Sequence, residues 1–276
     1  MREANKWILL LPFVCFAFAS WLFVGSEVEA RAQFERAKES WRLGRYSEAV
    51  TRYRSFLEKY RNSDYVSEAL WETATIYYYN LHDINGALRY FEKIVEEYPA
   101  SPWAAKSHLK LAEIYDRELN ELSKALEHWS GAVESGALSQ EELREVKFQI
   151  ADARFKVSEF DLALDEFRRI IEEEDDGHLV EQSRVRVGTI LRIRRQFRDA
   201  SQVFSEILAT TKCENCRLQA QLGLIESLEF MDQLPEAIEV ARKIDTQLYP
   251  PDMRQELLDR LFEKRRYYEP GLWNGR

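Results

Sequence analysis

Glycine and proline are scarce in this sequence, 10 and 7 in 276 residues, which argues against a fold built from many tight turns. Three cysteines in such a length do not make a disulfide-built scaffold. Positive charge is in deficit: 39 Lys and Arg against 48 Asp and Glu leave a net charge of −9. That balance argues against a nucleic-acid partner, because phosphate binding needs a concentrated cationic surface. The signatures of common chemistry are also missing, with no GxxxxGK phosphate loop, no GxSxG nucleophile turn and no HExxH metal motif. The four histidines are His82, His108, His128 and His178, and no carboxylates or thiols at fixed spacing converge on them. His108 and His128 fall on opposite helices of one pair, within reach of each other. The expectation is a non-enzymatic protein with no cofactor, no metal ion and no small-molecule substrate.

What is present is helical and repeats. Apolar residues make up 45% of the chain and charged residues 32%, the balance of a large helical protein with solvated outer faces. One alanine returns at intervals of 37 or 38 residues, as Ala49, Ala87, Ala125, Ala163, Ala200 and Ala237. An aromatic follows the first five after four residues, as Tyr53, Phe91, Trp129, Phe167 and Phe204, and Ala241 takes its place in the sixth. Each period holds two helical patterns. Between residues 65 and 100, Leu70, Trp71, Ala74, Tyr77, Tyr78 and Leu81 form one apolar face. His82, Asp83 and Asn85 break it. A second helix then turns Ala87, Phe91, Ile94 and Val95 inward and is stopped by Pro99. Two antiparallel helices of this length do not bury both faces alone, so neighbouring pairs must stack. The alanine marks the closest approach of the two helices, where a larger side chain would push the axes apart.

Trp71, Ala74, Thr75, Tyr78, Ala87, Phe91 and Pro99 follow the pattern Trp-x2-Leu-Gly-x2-Tyr, Ala-x3-Phe, Pro, with Ala-Thr in place of Leu-Gly. In this the chain resembles the tetratricopeptide repeat (TPR) family. The small residue facing the alanine recurs as Ala37, Thr75, Ala112, Ala151 and Gly188, with Ile225 or Gly223 in the sixth repeat. The resemblance implies an all-α, right-handed solenoid of about six helix pairs, placed here over residues 31–245. The stretches FLEKYRNS and YFEKIVEEYPASP are similar to bacterial envelope members of the family, those assisting outer-membrane barrel assembly and the periplasmic Tol–Pal coordinators. Both kinds are non-catalytic and bind partner proteins.

Within the family, the first helices line a concave wall that grips an extended or helical segment of another protein. Carried over to this chain, that wall takes Phe34, Leu109 and Phe148 from one helical position, and Trp41, Tyr79, Phe155 and Arg192 from a second. These seven are the expected partner-binding groove. Residues 246–276 are expected to close the stack with a capping helix and a tail. Asp252 and Gln255 make its capping box, and Met253, Leu257, Leu258, Leu261 and Phe262 its apolar stripe. Leu272 and Trp273 hang on the tail beyond.

Ahead of the repeats, residues 1–30 form a separate segment. Residues 7 to 25 carry no charge over 19 residues, long enough to span a bilayer as one helix, with Trp7 and Trp21 near its ends. Arg2 and Lys6 precede it and Glu27 and Glu29 follow, which places the N-terminus in the cytoplasm and the rest outside, in the periplasm. The other reading is a cleaved secretory signal, with Val28-Glu29-Ala30 as the cleavage site before Arg31. Cys15 follows Pro-Phe-Val rather than the small residues of a lipoprotein signal.

Two further stretches carry chemistry. Cys213-Glu-Asn-Cys216 supplies two metal ligands, half of what structural zinc takes, and Glu214 between the thiols opposes a thiolate. In an oxidising compartment the pair closes a small disulfide. Arg184, Arg186, Arg192, Arg194, Arg195 and Arg198 follow the acidic run 171–176, and the expectation is that opposite charges pair between adjacent helices. The reading as a whole is a membrane-anchored protein-interaction scaffold of the bacterial envelope. The alternatives are a cytosol-facing receptor of the import type, or a thiol redox or metal protein built on Cys213 and Cys216.

Overall fold

A computed structural model describes residues 26–173 and 177–268, and every regular element among them is a helix. Residues 7 to 25, with Cys15, and the tail with Leu272 and Trp273 lie outside the described residues. No helix among the described residues is long and apolar enough to cross a membrane. The chain divides into two compact units, Met1–Leu138 and Ser139–Arg276.

The first unit stacks three antiparallel pairs. Helix α1 covers 26–42 and pairs with α2 (Tyr46–Lys59). Helix α3 (Val66–Thr75) runs on through a single π turn, Ile76–Asn80, and pairs with α4 (Ile84–Glu97). Helices α5 (Pro102–Arg117) and α6 (Leu122–Glu134) complete it. The second unit repeats the scheme with α7 (Gln140–Lys156) and α8 (Phe160–Glu173), α9 (His178–Ile193) and α10 (Phe197–Thr210), and α11 (Glu214–Phe230) and α12 (Leu234–Arg242). A last helix, α13 (Pro251–Tyr268), packs on α12.

The repeated residues are the core. All six alanines are fully buried, and so are Tyr53, Phe91, Phe167 and Phe204, with Trp129 nearly so. A buried aromatic or aliphatic side chain of this size stabilises by about 1.5–3 kcal/mol relative to leaving it in water. Local signals fix where the helices begin. Ser139 accepts from the Glu142 amide while the Glu142 carboxylate accepts from the Ser139 amide, a capping box that starts α7. The Asp83 carboxylate takes the Gly86 amide at 2.8 Å and starts α4.

The turn inside each pair repeats with the same period as the alanines. Gly44, His82, Asn120, Ser158, Arg195 and Asp232, one per pair, all have positive φ. At Gly44, Ser158, Arg195 and Asp232 the backbone closes a Schellman motif, as where Ser158 N donates to Phe155 O and Glu159 N to Arg154 O. In the second and third pairs the closing bonds are wider, Asp83 N to Tyr77 O and Glu121 N to Tyr115 O. Five of the six left-handed positions hold a residue with a Cβ, which costs roughly 1–2 kcal/mol each. Ser158→Gly is therefore expected to raise the urea midpoint of the second unit. The net gain is about 0.5–1 kcal/mol after the greater chain entropy of glycine is subtracted.

Two expectations are corrected. Helix α13 begins at Pro251, so Asp252 lies inside its first turn rather than capping it. In its stripe Leu261 is buried and Leu257, Leu258 and Phe262 pack partly, but Met253, in the first turn, is exposed. The arginines pair across helices, as expected: Arg186 meets Asp152, Arg192 meets Glu226, and Arg194 meets Asp161, while residues 174–176 of the acidic run lie outside the described residues.

Candidate functional site

Tyr79 is the most exposed of the proposed groove residues, at 52%, and the π turn places it. One extra residue in that turn shifts the side-chain register by about 100° relative to a regular helix. Of three consecutive tyrosines, Tyr77 then turns inward and stacks on Tyr90, with ring centroids 5.6 Å apart. Tyr78 meets the Tyr79 ring edge-on at 4.8 Å and its hydroxyl reaches Glu118. Tyr79 is left on the surface with the Lys110 ammonium 5.4 Å above its ring. Lys110 also donates to Glu113 at 2.7 Å, so charge and aromatic ring are held together from α3 and α5. Burial opposes the Lys110 charge, but Glu113 and Tyr79 beside it hold its pKa above the usual value. On the same helix as Tyr79, burial pushes the Glu72 carboxyl up while Lys38 pulls it back.

The other groove positions divide by depth. Trp41, at 37%, offers a ring edge to solvent. Phe34 and Phe148, at 1% and 7%, are core and offer a partner nothing. Phe34 packs on Tyr53, Phe56 and Tyr65, and Phe148 meets Phe167 edge-on at 5.7 Å. Residues seven apart share a helix face, but Phe34 and Phe148 lie mid-helix, where the second helix of the pair covers them. Trp41 and Phe155 lie in the last turn, where that cover ends. Leu109 and Phe155 are half-buried, and Arg192 is tied to Glu226.

In the second unit the first helices carry a polar cleft of about 360 Å³, with Glu145, Gln149, Asp152, His178, Gln182 and Arg186 among its walls. At its centre Arg186 Nε donates to the buried Asp152 at 2.7 Å, with Lys156 Nζ 3.3 Å from the same carboxylate. The Arg186 guanidinium also lies 5.1 Å over the Phe155 ring.

His108 and His128 meet, Nδ1 to Nδ1 at 3.2 Å, and Tyr115 stacks on the His128 ring. At that distance one nitrogen must donate and the other accept, so the pair cannot be doubly protonated there. Burial lowers the pKa of both, and for His128 the neighbouring His108 adds to it, against the raising effect of Glu127 and Glu92. Because the folded values lie below the unfolded value of 6.5, the unfolded chain takes up protons first as pH falls. Stability is therefore whole above pH 6.5 and is lost as pH drops from there through the folded values. The urea midpoint of the first unit is expected to fall between pH 7.5 and 5.5, and His128→Asn to flatten that dependence.

Cys213 and Cys216 are joined as a disulfide. The fold brings them a companion that the CxxC spacing did not reveal: the Glu181 carboxylate, whose nearest oxygen and the two sulfurs lie within 4.8 Å of one another. Glu181 stands in the first turn of α9, 32 residues before Cys213, and no local spacing signals it.

The stacked pairs have counterparts among solved structures. A tetratricopeptide repeat protein from Parabacteroides merdae aligns over 86% of this chain and 86% of its own, at 15% identity and a TM-score of 0.53. YrrB, described as a TPR protein with an unusual peptide-binding site, aligns over 75% of this chain and 97% of its own, at 15% identity and a TM-score of 0.54. PilW, a type IV pilus biogenesis factor, aligns over 83% and 98%, at 15% identity and a TM-score of 0.50. At such identities the likeness is one of fold, and the fold is TPR-like. No curated protein sequence matches. The sequence itself does match one family model, "Soluble NSF attachment protein, SNAP", from the middle of the apolar segment into α9, residues 17–186. With more than half its length matched by that model, this chain belongs to the soluble NSF attachment protein family.

Proposed function

We propose that this chain is a non-catalytic scaffold held in the membrane by residues 7 to 25, whose first-helix faces capture a segment of a partner protein in the bacterial cell envelope. The observation that carries the reading is Tyr79: a large ring on the surface, fixed by a π turn and backed by Lys110. Exposed aromatics held rigid in this way supply contact area at little entropic cost and are typical anchors of interfaces. Family membership supports an attachment role, as the family's name describes, and YrrB, a TPR protein with a peptide-binding site, supports capture of a peptide segment. PilW, a type IV pilus biogenesis factor of like fold, supports the envelope setting.

Retention of the N-terminal segment has support in the first helix. Ala30 is fully buried, Glu29 pairs with Lys59 at 2.9 Å, and Glu27 accepts from the Ser63 hydroxyl and the Asp64 amide. Cleavage before Arg31 would remove all three. N-terminal sequencing of the membrane-bound protein is expected to find residues 1–30 in place, and a start at Arg31 overturns the anchor.

A photo-crosslinking residue placed at Trp41 in native membranes tests the capture. One discrete adduct is expected, and Tyr79→Ala should reduce its yield about tenfold or more with an unchanged melting temperature. A collapse in melting temperature instead would make Tyr79 structural. Protease added outside intact cells separates the envelope reading from a cytosol-facing receptor, since only the first leaves the repeats accessible once the outer layer is opened.

A further inference from the structure

We infer that Cys213, Cys216 and Glu181 form a redox-gated metal site, which takes one thiophilic divalent cation such as zinc when the disulfide is reduced. Three elements converge on it: the first turn of α9 brings Glu181, the residue before α11 is Cys213, and the first turn of α11 brings Cys216. The donor set is two sulfurs and one carboxylate, with their ligand atoms within 4.8 Å of one another. Two thiolates and a carboxylate, with water in the fourth place, match the tetrahedral preference of zinc, which binds sulfur at about 2.3 Å and carboxylate oxygen at about 2.0–2.2 Å. Cysteines with two residues between them span such an ion readily.

Two linked features of the α11 start favour thiolates at this place, against the opposing charge of Glu214. The Cys216 amide donates to Cys213 Sγ at 3.1 Å, a hydrogen bond that stabilises negative charge on that sulfur. Cys213 is the N-cap of α11, a helix of 17 residues, so the positive end of the helix dipole faces it. Glu181 is already held in position, since Oε1 accepts from the Thr211 hydroxyl at 2.8 Å and from the Lys212 amide at 3.1 Å. Both bonds fall on Oε1, so the carboxylate keeps lone pairs for a cation. Positioning of a carboxylate ligand by such outside hydrogen bonds is the usual support of a metal site. Cys216 is buried, so an ion there is screened on one side, while Cys213 keeps an edge to solvent for entry.

The steps balance. A dithiol reductant delivers two electrons and two protons to the Cys213–Cys216 bond, giving two thiols, and leaves as its own cyclic disulfide. The cation then displaces both thiol protons to solvent, and its two positive charges are met by two thiolates, with Glu181 making the complex anionic overall. Oxidised, the sulfurs are bonded to each other and the site is closed to the ion. The carboxylate is what distinguishes this from a bare CxxC, which offers half of a structural zinc shell.

The test uses the full chain carrying Cys15→Ser, so that the only thiols are this pair. After reduction by a dithiol and removal of the reductant without air, zinc is titrated against a chromogenic chelator, and cobalt(II) is added in parallel to read thiolate-to-metal absorption. One zinc per chain is expected in the reduced protein and none in the oxidised protein. Cys213→Ser with Cys216→Ser should bring uptake to background, and Glu181→Gln should weaken affinity by about tenfold or more. Circular dichroism checks the fold of each variant, and the oxidised and reduced forms of the unsubstituted pair give the answer even where a variant misfolds. Equal zinc uptake by oxidised and reduced protein, absent thiolate absorption with cobalt, or affinity unchanged in a folded Glu181→Gln protein would each overturn the site.

Discussion

Phe204→Ala is expected to remove about 3–5 kcal/mol from the second unit, enough to unfold a marginal one. The Phe204 ring is fully buried and lies between two glycines, Gly188 on α9 and Gly223 on α11. A Cβ built at Gly188 would stand 2.6 Å from ring atom Cε1, and one at Gly223 would stand 2.4 Å from Cζ. The ring thus fills the space that two missing side chains leave, and truncating it opens a cavity that neither glycine can close. The converse follows from the same geometry. Gly223→Ala forces a methyl group into the ring and is expected to cost about 1–3 kcal/mol through overpacking. Combining Gly223→Ala with Phe204→Leu should cost less than the two changes summed, with a coupling of about 0.5–3 kcal/mol, because the smaller side chain makes room for the added methyl. Urea unfolding followed by amide exchange in α9, α10 and α11 measures all three. Strict additivity would show that the ring has room to move and the clash is relieved elsewhere.

Gly223 also shows where reading the sequence stopped. The recurring alanines and aromatics were legible because each sits at a helix crossing where only one size fits, and that constraint returns every period. Counting back from Ala237 left Ile225 and Gly223 as rivals for the sixth small position. Both are buried, but Gly223 faces backward to Phe204 of the preceding pair, so its smallness serves a neighbouring helix. The left-handed turns were not legible, although they recur at the same interval. Gly44 is the only glycine among them, and His82, Asn120, Ser158, Arg195 and Asp232 fill the same conformation with five chemistries. A turn closed by backbone hydrogen bonds constrains φ more than it constrains side chain, so the sequence varies where the geometry does not.

Exposure at the expected groove positions was half legible for a related reason. A helical position fixes the side of the helix on which a residue lies, but not how much of the neighbouring helix covers it. Phe34 and Trp41 share a side, and so do Phe148 and Phe155. In each pair the mid-helix residue is core and the last-turn residue is not. The site around Cys213 was legible only as two ligands, since Glu181 reaches it through stacking of α9 on α11 rather than through spacing along the chain. The meeting of His108 and His128 was within reach from their places on facing helices.

Asp152→Ala is the second change with a large expected effect, about 3 kcal/mol from the second unit. Asp152 is buried at the wall of the polar cleft and takes Arg186 Nε at 2.7 Å and Lys156 Nζ at 3.3 Å. Removing it leaves the Arg186 guanidinium over the Phe155 ring without its carboxylate, and water reaches only its exposed third. Breaking such a pair from one side costs about 3–5 kcal/mol when both partners are buried, and Arg186 is a third exposed, which sets the lower end. A buried ion pair is nonetheless weak evidence for stability, because burying both charges costs about as much as their attraction returns. Asp152→Leu combined with Arg186→Met is therefore expected to lie within about 1 kcal/mol of the unsubstituted protein by urea unfolding. The two results together separate structure from recognition. If the double variant is stable and a photo-crosslinking residue placed at Gln149, in the cleft itself, still yields its adduct at full strength, the pair serves neither folding nor capture. The expected outcome is the other one, a stable double variant with a weakened adduct, because the cleft has then exchanged its only buried carboxylate and the guanidinium beside it for apolar side chains.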